Sequence, residues 1–177
     1  MIRLSDQDYS DIGLSILEAF LDAGEAYPGR PPMDVPAAIR WGGRDVVVTD
    51  IMRVPEHGHI RVQALGRAED VRQAADLDVS PGGIILPNRT VVPSLRTWFD
   101  SRYEDLVEFD YHTPRRLLRT HNVYELRLDN HVREHRWGDY AAMWIEELGA
   151  CDRVYHCNSG LRNPPTFDDL VFRVTAS

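Results

Sequence analysis

The sequence predicts a mainly-β (α+β) fold, an antiparallel β-sandwich or partly open barrel with an N-terminal amphipathic helix packed against it. Three observations lead there. From residue 46 onward, short segments alternate apolar and polar residues and are separated by turn residues. One stretch near the N-terminus instead repeats its apolar residues at helical spacing. No fixed-period repeat or low-complexity linker divides the 177 residues, so a single domain over 1–177 is expected.

The helix is expected over about residues 6–24. Tyr9, Ile12, Ile16, Phe20 and Ala23 recur at its period, and Leu17 and Leu21 widen the stripe. Ser5 and Asp8 resemble a capping box, Gly24 is a candidate stop, and "YPGRPP" ends the segment. Residues 28–45 form a Pro/Gly-rich connection with a helical turn expected at Pro36 and "WGG" after it. The β-rich body occupies 46–177. "DVVVTDIMRV" and "HIRVQAL", interrupted by "PEHG", read as a hairpin over 46–65, and "RAEDVRQAADL" reads as a short surface helix. "PGGIILPNRTVVPSLRTWF" reads as two short strands joined by "PNR", with prolines that place them at sheet edges.

Farther on, "LVEFDY" sets Val107, Phe109 and Tyr111 against Glu108 and Asp110. "NVYELRL" sets Tyr124, Leu126 and Leu128 against Glu125 and Arg127. "DN" reads as a turn into "HVREHRW", and "AAMWIEEL", "DRVYH" and "FDDLVFRV" complete the strands. Trp144 lies in opposite strand phase to Met143 and Ile145, which calls for burial on both faces or for a recognition surface.

A formal charge of −8 argues against broad nucleic-acid binding and leaves room for a basic protein partner or a cationic ligand, whereas a small polar or anionic ligand is expected only through a local arginine-bearing face. Residues 112–137 nevertheless carry six arginines against Glu125, Asp129 and Glu134, enough for a local basic face. No apolar run has the length of a membrane span and the N-terminal stretch is acidic, so a cytoplasmic setting with no membrane partner is expected. Cys151 and Cys157 would lie about 20 Å apart along a strand, so free thiols are expected.

"HVREH" has two histidines on one strand face, about 13 Å apart, too far for one ion. It also lacks the HExxH order of helical zinc hydrolases. "EHGH" is the better metal candidate, because His57 and His59 flank Gly58 and share a face. A divalent transition metal would need a third ligand from His121, His131, His135 or Glu134. The spacing resembles the HxH of cupin metal sites, without the glycine-flanked first motif, its downstream glutamate or the second motif. His112 and the arginines Arg115, Arg116 and Arg119 form a further polar cluster suited to a carboxylate or phosphate.

Phosphate-binding glycine motifs and the G-x-S-x-G elbow are missing, and adjacent His156 and Cys157 would face opposite ways on a strand. "PPTFDDLVFRV", with Asp168 and Asp169, resembles the "DFND-LVF" endings of calcium-associated β-sandwich domains. Here "RNPPT" replaces their preceding aspartates, which leaves a hard cation short of oxygen ligands.

The leading expectation is a non-catalytic binding or accessory protein that uses Trp137, Tyr140 and Trp144 with Arg115, Arg116 and Arg119. One alternative is a small metal-assisted enzyme with His57 and His59 as ligands and Glu134 as general base or third ligand. The other is a structural subunit of a homo-oligomer with its tryptophans in the interface.

Overall fold

Two β-sheets pack their inner faces around one apolar cluster, and a single helix covers part of an outer face in this computed structural model, which describes residues 1–100, 105–128 and 131–177. The chain runs β1 (Ile2–Asp8), α1 (Ile16–Ala26), β2 (Ala37–Trp41), β3 (Arg44–Val47), β4 (Asp50–Arg53), β5 (His57–Arg67), β6 (Gln73–Asp78), β7 (Gly83–Ile85) and β8 (Val91–Val92). It continues with β9 (Ser94–Phe99), β10 (Leu106–His112), β11 (Leu117–Leu128), β12 (His131–His135), β13 (Ala142–Gly149), β14 (Asp152–Asn158) and β15 (Leu170–Ala176).

The ten-stranded sheet has the order β1-β2-β3-β13-β14-β15-β5-β10-β7-β8. The five-stranded sheet has the order β12-β11-β6-β9, with β4 also paired to β11. The β1–β2 pair is parallel, and the other described pairs are antiparallel. The mixed, β-dominated fold with one packed helix is therefore as the alternation predicts.

The helix starts later than its apolar spacing suggests. Residues 2–8 form a strand, and the cap is Ser15, whose hydroxyl accepts from the Glu18 amide while Glu18 accepts from the Ser15 amide. Ile12 is exposed, which breaks the stripe, and Leu17 and Leu21 face out. The helix passes Gly24 and ends at Tyr27, in extended conformation before Pro28.

Ile16, Ala19 and Ala23 are fully buried against Ile39, Val46 and Ala142. The neighbours Ala38, Val47 and Met143 enter the core between the sheets. These strands are buried on both faces, which explains their unbroken apolar runs. Trp144 lies on the helix side and Met143 and Ile145 on the core side, so two-sided burial resolves their conflict of phase.

Three other expectations are corrected. Pro36 opens no helical turn: β2 and β3 are joined by Gly42–Gly43, both with positive φ. Residues 46–65 are no hairpin, because β4 pairs with β11 while β5 pairs with β10 and β15. "QAADLD" is a strand, with Ala74, Ala75 and Leu77 fully buried between β11 and β9; burial outweighs helix-forming composition. The paired strands around "PNR" form as β7 and β8, with β8 at the sheet edge. The turn expected at "DN" and the side chain of Leu128 lie outside what the structure describes.

Asp50 on β4 is fully buried and joins the two sheets. Arg153 on β14 places Nη1 2.6 Å from both carboxylate oxygens, and the Tyr155 hydroxyl donates to Oδ2 at 2.7 Å. Burial, reinforced by the Asp50 charge, holds the Tyr155 phenol well above its ordinary pKa. Removing Asp50 leaves the largely buried Arg153 with only the exposed Glu147 as an ionic partner. Asp50→Ala is expected to cost about 3–5 kcal/mol of unfolding free energy in urea titration. Glu147→Ala, which removes the more exposed partner of Arg153, should cost less than about 1 kcal/mol.

Asp8 clamps the β2–β3 turn, accepting from the Gly42 amide at 2.9 Å and the Gly43 amide at 2.7 Å. Partial burial acts to raise its pKa, but the amides of Gly43, Ser10 and Gly42 together outweigh it and hold the carboxyl at about 2. The folded-state value lies below the unfolded one of about 3.9. The clamp's contribution is therefore complete above that value and lost as pH falls through about 2. The stability gap between wild type and Asp8→Asn should be flat near neutrality and shrink on acidification through this window, as followed by urea denaturation.

Candidate functional site

The outer face of the ten-stranded sheet carries a polar ladder at the end remote from α1. On β5 the outward residues are His57, His59 and Arg61, and in the β5–β10 register they oppose His112, Asp110 and Glu108. The alternation visible in each strand's sequence sets which side chains face out, and the register decides which ones meet. Past the end of β10 the two chains stay together as they cross to the other sheet. The Thr113 amide donates to the Glu56 carbonyl at 2.7 Å, the Val54 amide to the Arg116 carbonyl at 3.0 Å, and Arg53 then pairs with Leu117.

β5 is held from its other side as well. The His59 amide donates to the Ser177 carbonyl at 2.8 Å, and the Ser177 amide to the His59 carbonyl at 3.0 Å. Gly58 sits so close that a Cβ there would lie 1.9 Å from the Ser177 oxygen, so glycine alone permits this approach. A backbone paired on both edges gives the His57 and His112 side chains fixed origins.

Glu56, His57 and His112 form a cluster that can hold a metal ion, with their ligand atoms all within 4.8 Å of one another. Glu56 Oε1 is 3.6 Å from His57 Nε2 and 3.7 Å from His112 Nε2. A tetrahedral ion with bonds near 2.05 Å separates its ligands by about 3.3 Å, so those two edges need only a small contraction. The imidazole rings stack at 4.4 Å and 22°. All three side chains are largely accessible, which leaves the remaining coordination positions open to water or to a ligand.

The structure divides the histidine pair named from the sequence. His57 enters the cluster, whereas His59 Nδ1 lies 3.1 Å from Asp110 Oδ1 and its Nε2 3.9 Å from Glu108. Residues two apart on a strand are about 6.6 Å apart along its axis, while cross-strand neighbours lie at about 5 Å. His57 therefore meets His112 rather than His59. Sequence reasoning placed His112 with the arginines and passed over Glu56.

The candidate third ligands lie elsewhere. Glu134, on β12 of the five-stranded sheet, is ion-paired with Arg96. His121 is buried with Nδ1 3.0 Å from the Thr49 hydroxyl; burial, aided by the Arg136 charge, lowers its pKa. His131 is exposed on the edge strand, and His135 stacks on Tyr124 at 5.9 Å. "HVREH" is the strand its spacing predicts, and its two histidines join no ligand cluster among the described residues.

The basic face expected over 112–137 is neutralised in part, through Arg127 and Arg136. Asp76 binds Arg96 through two contacts of 2.6 and 2.8 Å and Arg136 at 2.8 Å. Glu125, outward in phase yet buried, receives Arg72 at 2.8 Å and Arg127 at 2.9 Å. Arg119 reaches the Ser80 carbonyl at 3.3 Å and lines a groove with Arg115 and Arg53; Arg116 is not part of that lining.

The three aromatic candidates do not form one platform. Trp137 is 59% exposed. Tyr140 meets Trp41 edge-on at 6.3 Å, and its hydroxyl accepts from Asn163 at 2.8 Å. Trp144 is stacked on His156 at 3.7 Å with the Arg44 guanidinium 4.5 Å from its ring centroid.

The acids of the C-terminal string act within the chain. Asp169 is fully buried, accepts from the Ser159 amide and pairs with Arg162, while Asp168 accepts from the Thr166 hydroxyl. Cys151 and Cys157 are free thiols, and burial, with the Asp169 charge adding to it, raises the Cys157 pKa well above the usual range. No helix among the described residues is long and apolar enough to cross a membrane. No protein-family model, curated protein or solved structure matches the chain.

Proposed function

We propose that this chain is a non-catalytic binding protein that takes up a divalent transition metal at Glu56, His57 and His112 and presents it to a ligand at the open coordination positions. The observation that carries this reading is the triangle of one carboxylate oxygen and two imidazole nitrogens, with edges of 3.6 and 3.7 Å to Glu56. Two imidazoles and a carboxylate suit zinc, nickel, cobalt or copper rather than calcium or magnesium. Glu134 is engaged by Arg96, which favours binding over the metal-assisted hydrolysis that would use it as a base.

Calorimetric titration of metal-depleted protein with Zn²⁺ or Ni²⁺ tests the site. One equivalent is expected to bind, with uptake lost in His57→Ala and in His112→Ala. Glu56→Gln should weaken it at least about tenfold. His59→Ala should leave it unchanged, and an equal loss there would discard the assignment. Acidification should weaken uptake, because protons compete with the metal for imidazole nitrogen.

A second reading, recognition of a protein partner or another copy, is favoured by Trp137, which is 59% exposed just beyond the edge strand β12. Trp137→Ala should then lower the apparent mass in solution or abolish partner capture while leaving metal uptake intact.

A further inference from the structure

We propose that the groove between residues 33–34, the end of β4 and the start of β11 is a binding site for a small dianion with an apolar flank, of the organic phosphate class. The groove has a volume of about 440 Å³ and is lined by Met33, Asp34, Arg53, Arg115, Leu117 and Arg119. That size is within the range of small-molecule sites.

Positive charge in the groove is left uncompensated. Three guanidinium groups line the groove against the single carboxylate of Asp34, on a chain whose formal charge is −8. Arg53 meets Asp34 only at 3.5 Å, between side chains 75% and 53% exposed, an arrangement worth little. Arg119 uses Nη1 on the Ser80 carbonyl and stands 3.9 Å from Asp78, which is not part of the lining. Arg115 makes no hydrogen bond or ion pair among the described residues.

A larger cleft shows the contrast. It measures about 780 Å³ and holds Arg67, Arg72 and Arg127. There, Arg67 is paired with Asp105, Arg72 with Asp100 and Glu125, and Arg127 with Glu125. Cationic surplus is therefore a property of the smaller groove.

Its shape suits an organic anion. Arginine forks offer paired donors to phosphate oxygens. Leu117, 5% exposed, supplies an apolar floor, and Met33, 77% exposed, supplies an adaptable wall that can fold over an apolar group. The backbone beneath is rigid, because Arg53 and Leu117 are partners in the β4–β11 pairing.

The probe is phenyl phosphate, titrated calorimetrically into metal-depleted full-length protein and repeated in His57→Ala so that phosphate held by a metal cannot account for the signal. Saturable one-to-one binding is expected, tighter than for inorganic phosphate. Arg53→Ala and Arg115→Ala alter exposed side chains and should each weaken it about tenfold. Arg116→Asn removes a neighbouring charge outside the groove while keeping a residue that tolerates its positive φ of 56°, and it should change affinity less than about twofold. Failure to saturate overturns the proposal, as does an Arg116→Asn loss equal to that of Arg115→Ala, which would mean undirected surface charge. Equal affinity for inorganic phosphate would remove the apolar flank, and equal affinity for benzyl alcohol would remove the anion.

Discussion

The buried contact between Asp50 and Arg153 is the constraint on which the arrangement of the sheets turns. Asp50 belongs to a strand of the smaller sheet and Arg153 to a central strand of the larger one, so their pairing fixes how the two layers face each other. Burying both charges carries a large desolvation cost, recovered only with good geometry and satisfied neighbours. The two short contacts to Arg153 and the hydroxyl of Tyr155 satisfy the Asp50 carboxylate, while Arg153 Nε is buried without a partner among the described residues. A hydrophobic pair would tolerate sliding between the layers, whereas this one has a single good position.

With Asp50 committed to the smaller sheet, the chain must cross to the larger sheet between residues 53 and 57. It does so beside a second crossing at 113–116 that runs the other way. Both candidate sites belong to this double crossing. Glu56, His57 and His112 lie where the chains have reached the larger sheet, and Arg53, Arg115 and Arg119 where they enter the smaller one. Regular β-ladders hold each side, so the chemically versatile residues stand on a rigid corner rather than on a free loop.

Elsewhere, charge is spent on structure. Arg96 and Arg136 meet Asp76, and Arg72 and Arg127 meet Glu125. Part of the charge of a stretch that looks basic along the chain is thereby removed from the surface. The same logic converts the acids near the C-terminus into a clamp on the β14–β15 connection, with Asp169 joining Ser159 and Arg162. At Arg115 and its groove such pairing runs out and a charge surplus persists.

Local periodicity determined much of this protein by itself. The outward and inward faces of β10, the extended nature of "HVREH", the β-dominated class and the Tyr27–Pro28 helix stop follow from side-chain alternation and proline geometry, which act over a few residues. The start of α1 is obscured along the chain because Tyr9 and Ile12 continue its apolar repeat back through the loop after β1, with Ser5–Asp8 mimicking the cap that Ser15–Glu18 makes. The alanines and charged residues of β6 look helical along the chain, and burial between two strands overrides that preference. The metal cluster itself depended on register, which joins residues 57 and 112 through hydrogen bonds between distant segments. No local pattern encodes that distance, because the free energy that sets it comes from packing the two sheets together.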